Sequence, residues 1–246
     1  MDSMLFNLER IVMKNTVAPV ILAFVLFGIL VTSAYSSVSI EASITRDFRV
    51  VFEFTNINST IYENLKNNAL IMNETTVPEA IWRNLAEKGL ISVEYYNSSI
   101  NFNDTTRSVR SAFNLRGPDI ITSTINRGAL TETFTANTTW RKFFLNISSG
   151  FSFNFTQTFA TPLADWNRTA LPDGGTIYSL ANVTAGASCS FALPKEANGV
   201  FIVGDVVIFD LPYEPPWEDK FINSPLLILI ALAVAGAVIF VYRKVR

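Results

Sequence analysis

The chain has 246 residues, 49% of them hydrophobic and 16% charged. Soluble domains carry about 25% charged residues, so the apolar surplus, with mean hydropathy +0.29, has to sit in lipid, in a large core, or in both. The net charge of −2 and pI near 5.3 exclude a bulk electrostatic case for nucleic acid, which needs a basic patch or stripe.

Two further counts narrow the chemistry. There is no histidine, which excludes Ser-His-Asp and Cys-His sites and His-ligated zinc, copper or haem within the chain. The single cysteine, Cys189, excludes an intrachain disulfide and a thiolate cluster. The expectation is no catalytic residue, no metal ligand and no cofactor.

In chain order, residues 1–16 read as a cytoplasmic N-terminus with Arg10 and Lys14. The apolar run 17–35, broken only by Pro19 and Gly28 before Thr32, is close to the ~20 residues a spanning helix needs. Thr32-Ser33-Ala34 is an acceptable signal-peptidase site, so the run is a cleaved signal peptide or a retained signal anchor. Retention is taken as the working expectation.

The next segment, 36–211, is expected to be one extracytoplasmic β-rich domain. Ser37–Ile44 and Phe48–Thr55 alternate apolar and polar residues around a Thr45-Arg46-Asp47 turn, predicting a hairpin with a Phe-rich buried face. Ser59 is expected to cap a short helix reaching about Leu70. Thr76-Val77-Pro78-Glu79 matches a capping box, predicting a helix over Pro78–Lys88 with Ile81, Trp82 and Leu85 on one face and Gly89 as its stop. Leu90–Phe102 reads as strand. Thr105–Arg116 fits either a helix or a strand. Asp119–Asn126 reads as a short helix or turn.

From Ala129 the pattern is β throughout. Expected strands are Leu130–Ala136, a Trp140–Ile147/Phe151–Phe159 hairpin, Thr176–Ala181, Ser188–Leu193 and a single long strand over Gly199–Leu211. The fold class expected is α+β, mostly β, membrane-anchored, with the β-rich domain between two transmembrane helices.

The Pro-rich stretch 212–224 reads as a stiff linker. The run 225–242 has no charge and as a helix would span about 27 Å. It ends in a basic tail, 243–246, which the positive-inside rule makes cytoplasmic. Trp217, Phe221, Tyr242, Arg243, Lys244 and Arg246 are the expected interface anchors. Ala233 and Ala237, four apart, have the spacing of close helix packing, although ordinary membrane-helix composition accounts for them as well.

Asn-x-Ser/Thr triplets without proline occur at Asn58, Asn73, Asn97, Asn103, Asn137, Asn146, Asn154, Asn167 and Asn182. All nine fall in the expected outer segment, so they are N-glycosylation candidates. An Asn/Thr-rich surface produces some of them by chance. Many sequons without disulfides fit an archaeal surface glycoprotein better than a small eukaryotic secreted domain.

Other chemistry is weak. Gly186-Ala187-Ser188-Cys189-Ser190 lacks the last glycine of a nucleophile elbow and has no histidine to act as base. Thr139-Trp140-Arg141-Lys142 offers a hydroxyl near a lysine. Arg107, Arg110, Arg116 and Arg127 form the densest cationic region, but the segment 36–224 holds 19 acidic and 14 basic residues. Asp205 and Asp210 are a carboxylate pair read as lying on opposite faces of one strand.

The function expected is a non-catalytic, membrane-anchored surface glycoprotein. It would serve as a structural or accessory subunit of a membrane or envelope assembly. The alternative is a receptor or substrate-capturing subunit using an aromatic groove for sugar, peptide or lipid. Expected partners are membrane lipid, other membrane or envelope proteins and N-linked glycans, and not nucleic acid.

Overall fold

The computed structural model describes residues 37–148, 150–216, 229–230, 232–235 and 242–244. Its core unit is β-rich and built on a seven-stranded sheet in the order β3-β4-β2-β1-β11-β10-β9. The strands are β1 (Ser37–Ile44), β2 (Phe48–Thr55), β3 (Glu94–Asn103), β4 (Ser108–Arg116), β9 (Asn167–Ala170), β10 (Thr176–Asn182) and β11 (Ala187–Leu193). A second sheet runs β12 (Asn198–Val203), β13 (Val206–Pro212), β6 (Thr131–Asn137), β5 (Ile121–Asn126). The hairpin of β7 (Phe144–Ser148) and β8 (Phe151–Asn154) stands apart.

The first hairpin forms as its alternation requires. Val38, Ile40, Ala42 and Ile44 of β1 and Phe48, Val50, Phe52 and Phe54 of β2 are all buried. β1 also pairs in parallel with β11, Ile40 opposite Cys189 and Ala42 opposite Phe191. The N-terminal hairpin and the C-terminal strands therefore share one sheet and one core. That core is an aromatic network in which Phe52 meets Phe113, Phe143 and Phe155 at centroid separations of 6.0, 5.7 and 5.5 Å. Such contacts add to the large apolar area each ring buries.

Two helices lie between β2 and β3: α1 (Ser59–Asn67) and α2 (Thr76–Glu87). The cap of α1 is Asn58, whose Oδ1 accepts from the Thr60 amide at 3.0 Å, rather than Ser59. The capping box of α2 does not form. Thr76 lies inside the helix, and its hydroxyl turns back to Asn73. The buried face of α2 is Val77, Pro78, Ile81 and Leu85, and Trp82 stays 40% exposed. α2 packs on β3, on β7 and on the 3-10 turn Thr139–Arg141.

Several expected elements change. Of the stretch 105–116, Ser108–Arg116 is strand β4, with Val109, Phe113 and Leu115 inward, and the residues before it form the β3–β4 turn. Asp119–Asn126 contributes β5 rather than a helix or turn, because it completes the edge beside β6. The long strand over Gly199–Leu211 is two strands, folded back at Gly204, whose φ of +58° suits glycine. The hairpin expected over 140–159 shortens to β7 and β8. It is flanked by the 139–141 turn and by one helical turn, α3 (Phe155–Thr158), which still buries Phe155 and leads into buried Phe159.

Among the described residues no helix is long and apolar enough to cross a membrane. The expected span 17–35 lies outside the described residues, as does most of 225–242. Leu229–Ile230, Leu232–Ala235 and Tyr242–Lys244 are described and are helical.

Candidate functional site: the open face of the seven-stranded sheet

One face of the large sheet is filled by the core; among the described residues the other carries mostly exposed or half-buried side chains, with Val51 buried at its centre. Alternation decides this outer face: Ser39, Glu41 and Ser43 on β1, Arg49, Val51 and Glu53 on β2, Arg110 and Ala112 on β4, and Ser188 and Ser190 on β11. Register places Glu53 opposite Arg110, Val51 opposite Ala112 and Glu41 opposite Ser190. The small side chains leave two shallow depressions. One, of about 390 Å³, is walled by Glu41, Ser43, Arg49, Val51, Ile177 and Ser190. The other, of about 430 Å³, is walled by Arg49, Glu53, Ser99, Asn101 and Arg110. Both are open and Arg49 borders each; the first is lined mainly by the apolar surfaces of Ala42, Val51, Ile177 and Ala192, the second by polar and charged groups. A third hollow of about 260 Å³ lies between α2 and β7, with Asn73 and Asn146 at its wall.

The groups singled out for chemistry go elsewhere. Cys189 is buried in β11, and burial pushes its thiol up to about 12, which makes it inert. Asp205 is in the β12–β13 turn rather than on a strand. Its Oδ1 accepts from Arg141 Nη2 and its Oδ2 from Lys142 Nζ, each at 2.6 Å, and the Leu163 amide adds a third bond at 3.1 Å. Burial raises the Asp205 carboxyl, but the bonds from Lys142 and Arg141 outweigh it and hold the group below the usual carboxylate range.

The Arg141 side chain is 2% exposed. It also donates to the Thr138 carbonyl and hydroxyl and to the Thr161 carbonyl, and lies 4.9 Å over the Trp166 ring. Sequence reading missed this node because its partners are 20 and 64 residues away. The only local sign was a charged pair set in an aromatic stretch. The node locks the 139–141 turn to the β12–β13 turn. Asp210, the other carboxylate considered, accepts from the Thr133 hydroxyl at 2.6 Å.

The four arginines do not form one patch. Arg107 is in the β3–β4 turn and Arg116 at the far end of β4, where it pairs with Glu94 at 2.9 Å and lies over Tyr96. Arg110 is on the outer face, and Arg127 is in the β5–β6 turn. Phe134, Phe151, Phe153 and Phe209 are all buried, so these rings fill the core, whereas Phe144, Phe201 and Trp82 stay exposed. Among the described residues no group of three or more His, Cys, Asp or Glu is placed to hold a metal ion.

The sequons are spread over loops, caps and edges, and none is fully buried. Asn58, Asn97, Asn103, Asn146, Asn154 and Asn167 are exposed, while Asn73, Asn137 and Asn182 are half-buried. Many act as local caps. Oδ1 of Asn58, Asn73, Asn103, Asn137, Asn154 and Asn182 accepts a backbone N–H two or three residues ahead. A capping Asn with a turn-forming Thr or Ser two positions on is itself a sequon, so turn chemistry contributes to their number. Of the expected membrane anchors, Tyr242, Arg243 and Lys244 are described and exposed, and Trp217, Phe221 and Arg246 lie outside the described residues. Ala233 is an exposed helical residue; Ala237 lies outside them.

No protein-family model matches the chain, and neither a curated protein nor a solved structure matches it.

Proposed function

We propose that this chain is a membrane-anchored cell-surface glycoprotein acting without catalysis, as a structural or accessory subunit of a membrane or envelope assembly, with an archaeal surface as its setting. The observation that carries the reading is the pair of uncharged or nearly uncharged apolar runs, 17–35 and 225–242, enclosing a β-rich unit bounded by Ser37 and Pro212. Two structural facts support the non-catalytic part. The cysteine is buried, and Asp205 is held by two cations and an amide. These two groups are thus engaged in the fold. Lipid and protein neighbours are the expected partners, with glycans on sequons such as the exposed Asn97, Asn146 and Asn167.

A second reading, a receptor for a polar ligand such as a sugar or peptide, draws support from the polar depression walled by Arg49, Glu53 and Arg110 on the outer sheet face. The aromatic groove it first required finds no support, since those rings lie in the core. Mild-detergent purification from native membranes separates the two readings. Comigration with other membrane proteins at fixed stoichiometry is expected of a subunit. A chain that purifies alone and binds a saccharide with loss on Arg49→Ala contradicts it in favour of the receptor.

A further inference from the structure

The fold starts without slack. Ser37, separated from the first apolar run by one residue, is already in β1, its hydroxyl 2.6 Å from that of Thr55, and the Val38 amide donates to the Gly186 carbonyl at 2.9 Å. The turns around this strand end are those at Asn56–Asn58, Asp104–Arg107 and Val183–Gly186. The first two are tied by the Ile57 amide on the Arg107 carbonyl at 3.0 Å. Val183 projects here, 91% exposed.

The chain leaves from the other end. Over its eight residues β1 rises about 25 Å to the Thr45–Asp47 turn. There Arg46 reaches Glu132, whose cross-strand partner is Leu211, and the Tyr213 amide bonds to the Leu130 carbonyl at 2.8 Å. Entry and exit thus stand at opposite ends of the large sheet. The stretch 213–224 can reach about 40 Å when extended, enough to return the length of the domain. The single residue before Ser37 has no such reach.

We propose that the Ser37 end of the domain is seated on the bilayer surface, with Val183 and the Asp104–Arg107 turn against the lipid headgroups and the Thr45–Asp47 turn pointing away. This rests on the reading of both apolar runs as membrane spans. It fixes which surface meets lipid and which is presented outward to other proteins. Asn58, Asn103 and Asn182 cluster at the seated end, and the proposal expects them bare.

The test uses the full chain in phosphatidylcholine vesicles doped with headgroup-nitroxide lipid. Val183→Cys and Arg46→Cys each carry a bimane label; both sites are exposed, so the fold tolerates them, and buried Cys189 stays in place. The expected result is at least threefold stronger quenching at position 183 than at 46. Equal quenching, or stronger quenching at 46, overturns the proposal, as does glycan on both Asn58 and Asn103 in native protein. If alkaline carbonate strips the chain from the vesicles, the membrane reading fails first and the proposal falls with it.

Discussion

Removing the Asp205 carboxylate should be among the most damaging single changes in the domain. The residue neutralises Arg141, whose side chain is 2% exposed, and Lys142, whose side chain is 18% exposed, through two 2.6 Å contacts. Asp205→Ala leaves a guanidinium in a site it cannot leave and frees the Leu163 amide as well. Breaking a buried pair in this way costs about 3–5 kcal/mol, which for a domain of this size is about 6–20 °C in Tm. Thermal unfolding of the detergent-solubilised full chain, followed by circular dichroism, measures it.

The pH dependence has a definite sign. The folded carboxyl is held below its ordinary value, so its stabilisation is present above the unfolded pKa of about 3.9. It is lost as pH falls through the lower folded value. Asp205→Asn should therefore weaken the dependence of Tm on pH below about pH 4. A loss under about 1 kcal/mol for Asp205→Ala, the level of an exposed ion pair, would refute the reasoning.

Three other predictions follow from the geometry. Cys189, with its thiol raised to about 12 by burial, should resist maleimide at pH 8 in the folded chain and react once denatured; labelling of the native protein contradicts its placement. Gly117, at φ +134°, would put an added Cβ 1.8 Å from the Ser92 carbonyl oxygen, whereas Gly174 at φ +91° has nothing within 4 Å. Gly117→Ala should thus cost about 3 kcal/mol or more and Gly174→Ala about 1 kcal/mol, and equal melting temperatures would undo the comparison. Asn73 and Asn182 donate their side-chain amides to the Ala69 and Thr158 carbonyls. Glycopeptide mass spectrometry of native protein should find these two unmodified and exposed Asn97, Asn146 and Asn167 carrying glycan; the reverse pattern counts against it.

What was legible in the sequence was local. The hairpin of β1 and β2 could be read because its period-two alternation is broken only at Val51 and one face is almost entirely Phe, Val and Ile. The α2 helix could be read from its proline in the first turn and Gly89 at its end. What was not legible depended on partners far along the chain. β5 has only Ile121 buried, so nothing in its polar sequence announces a strand until β6 lies beside it. The parallel pairing of β1 with β11 joins residues some 150 positions apart, which no local pattern encodes. The Arg141–Asp205 node failed to appear for the same reason. The outer face was visible as Ser39, Glu41 and Ser43, but only the register of β2, β4 and β11 turned it into one surface, polar at its Arg49–Arg110 side and apolar around Val51.

Intact-mass analysis of the chain recovered from carbonate-washed native membranes tests the central claim most directly. The account predicts recovery in the membrane pellet, with a mass above that of the polypeptide by whole glycan increments. A chain found in the carbonate supernatant at its bare polypeptide mass would contradict it.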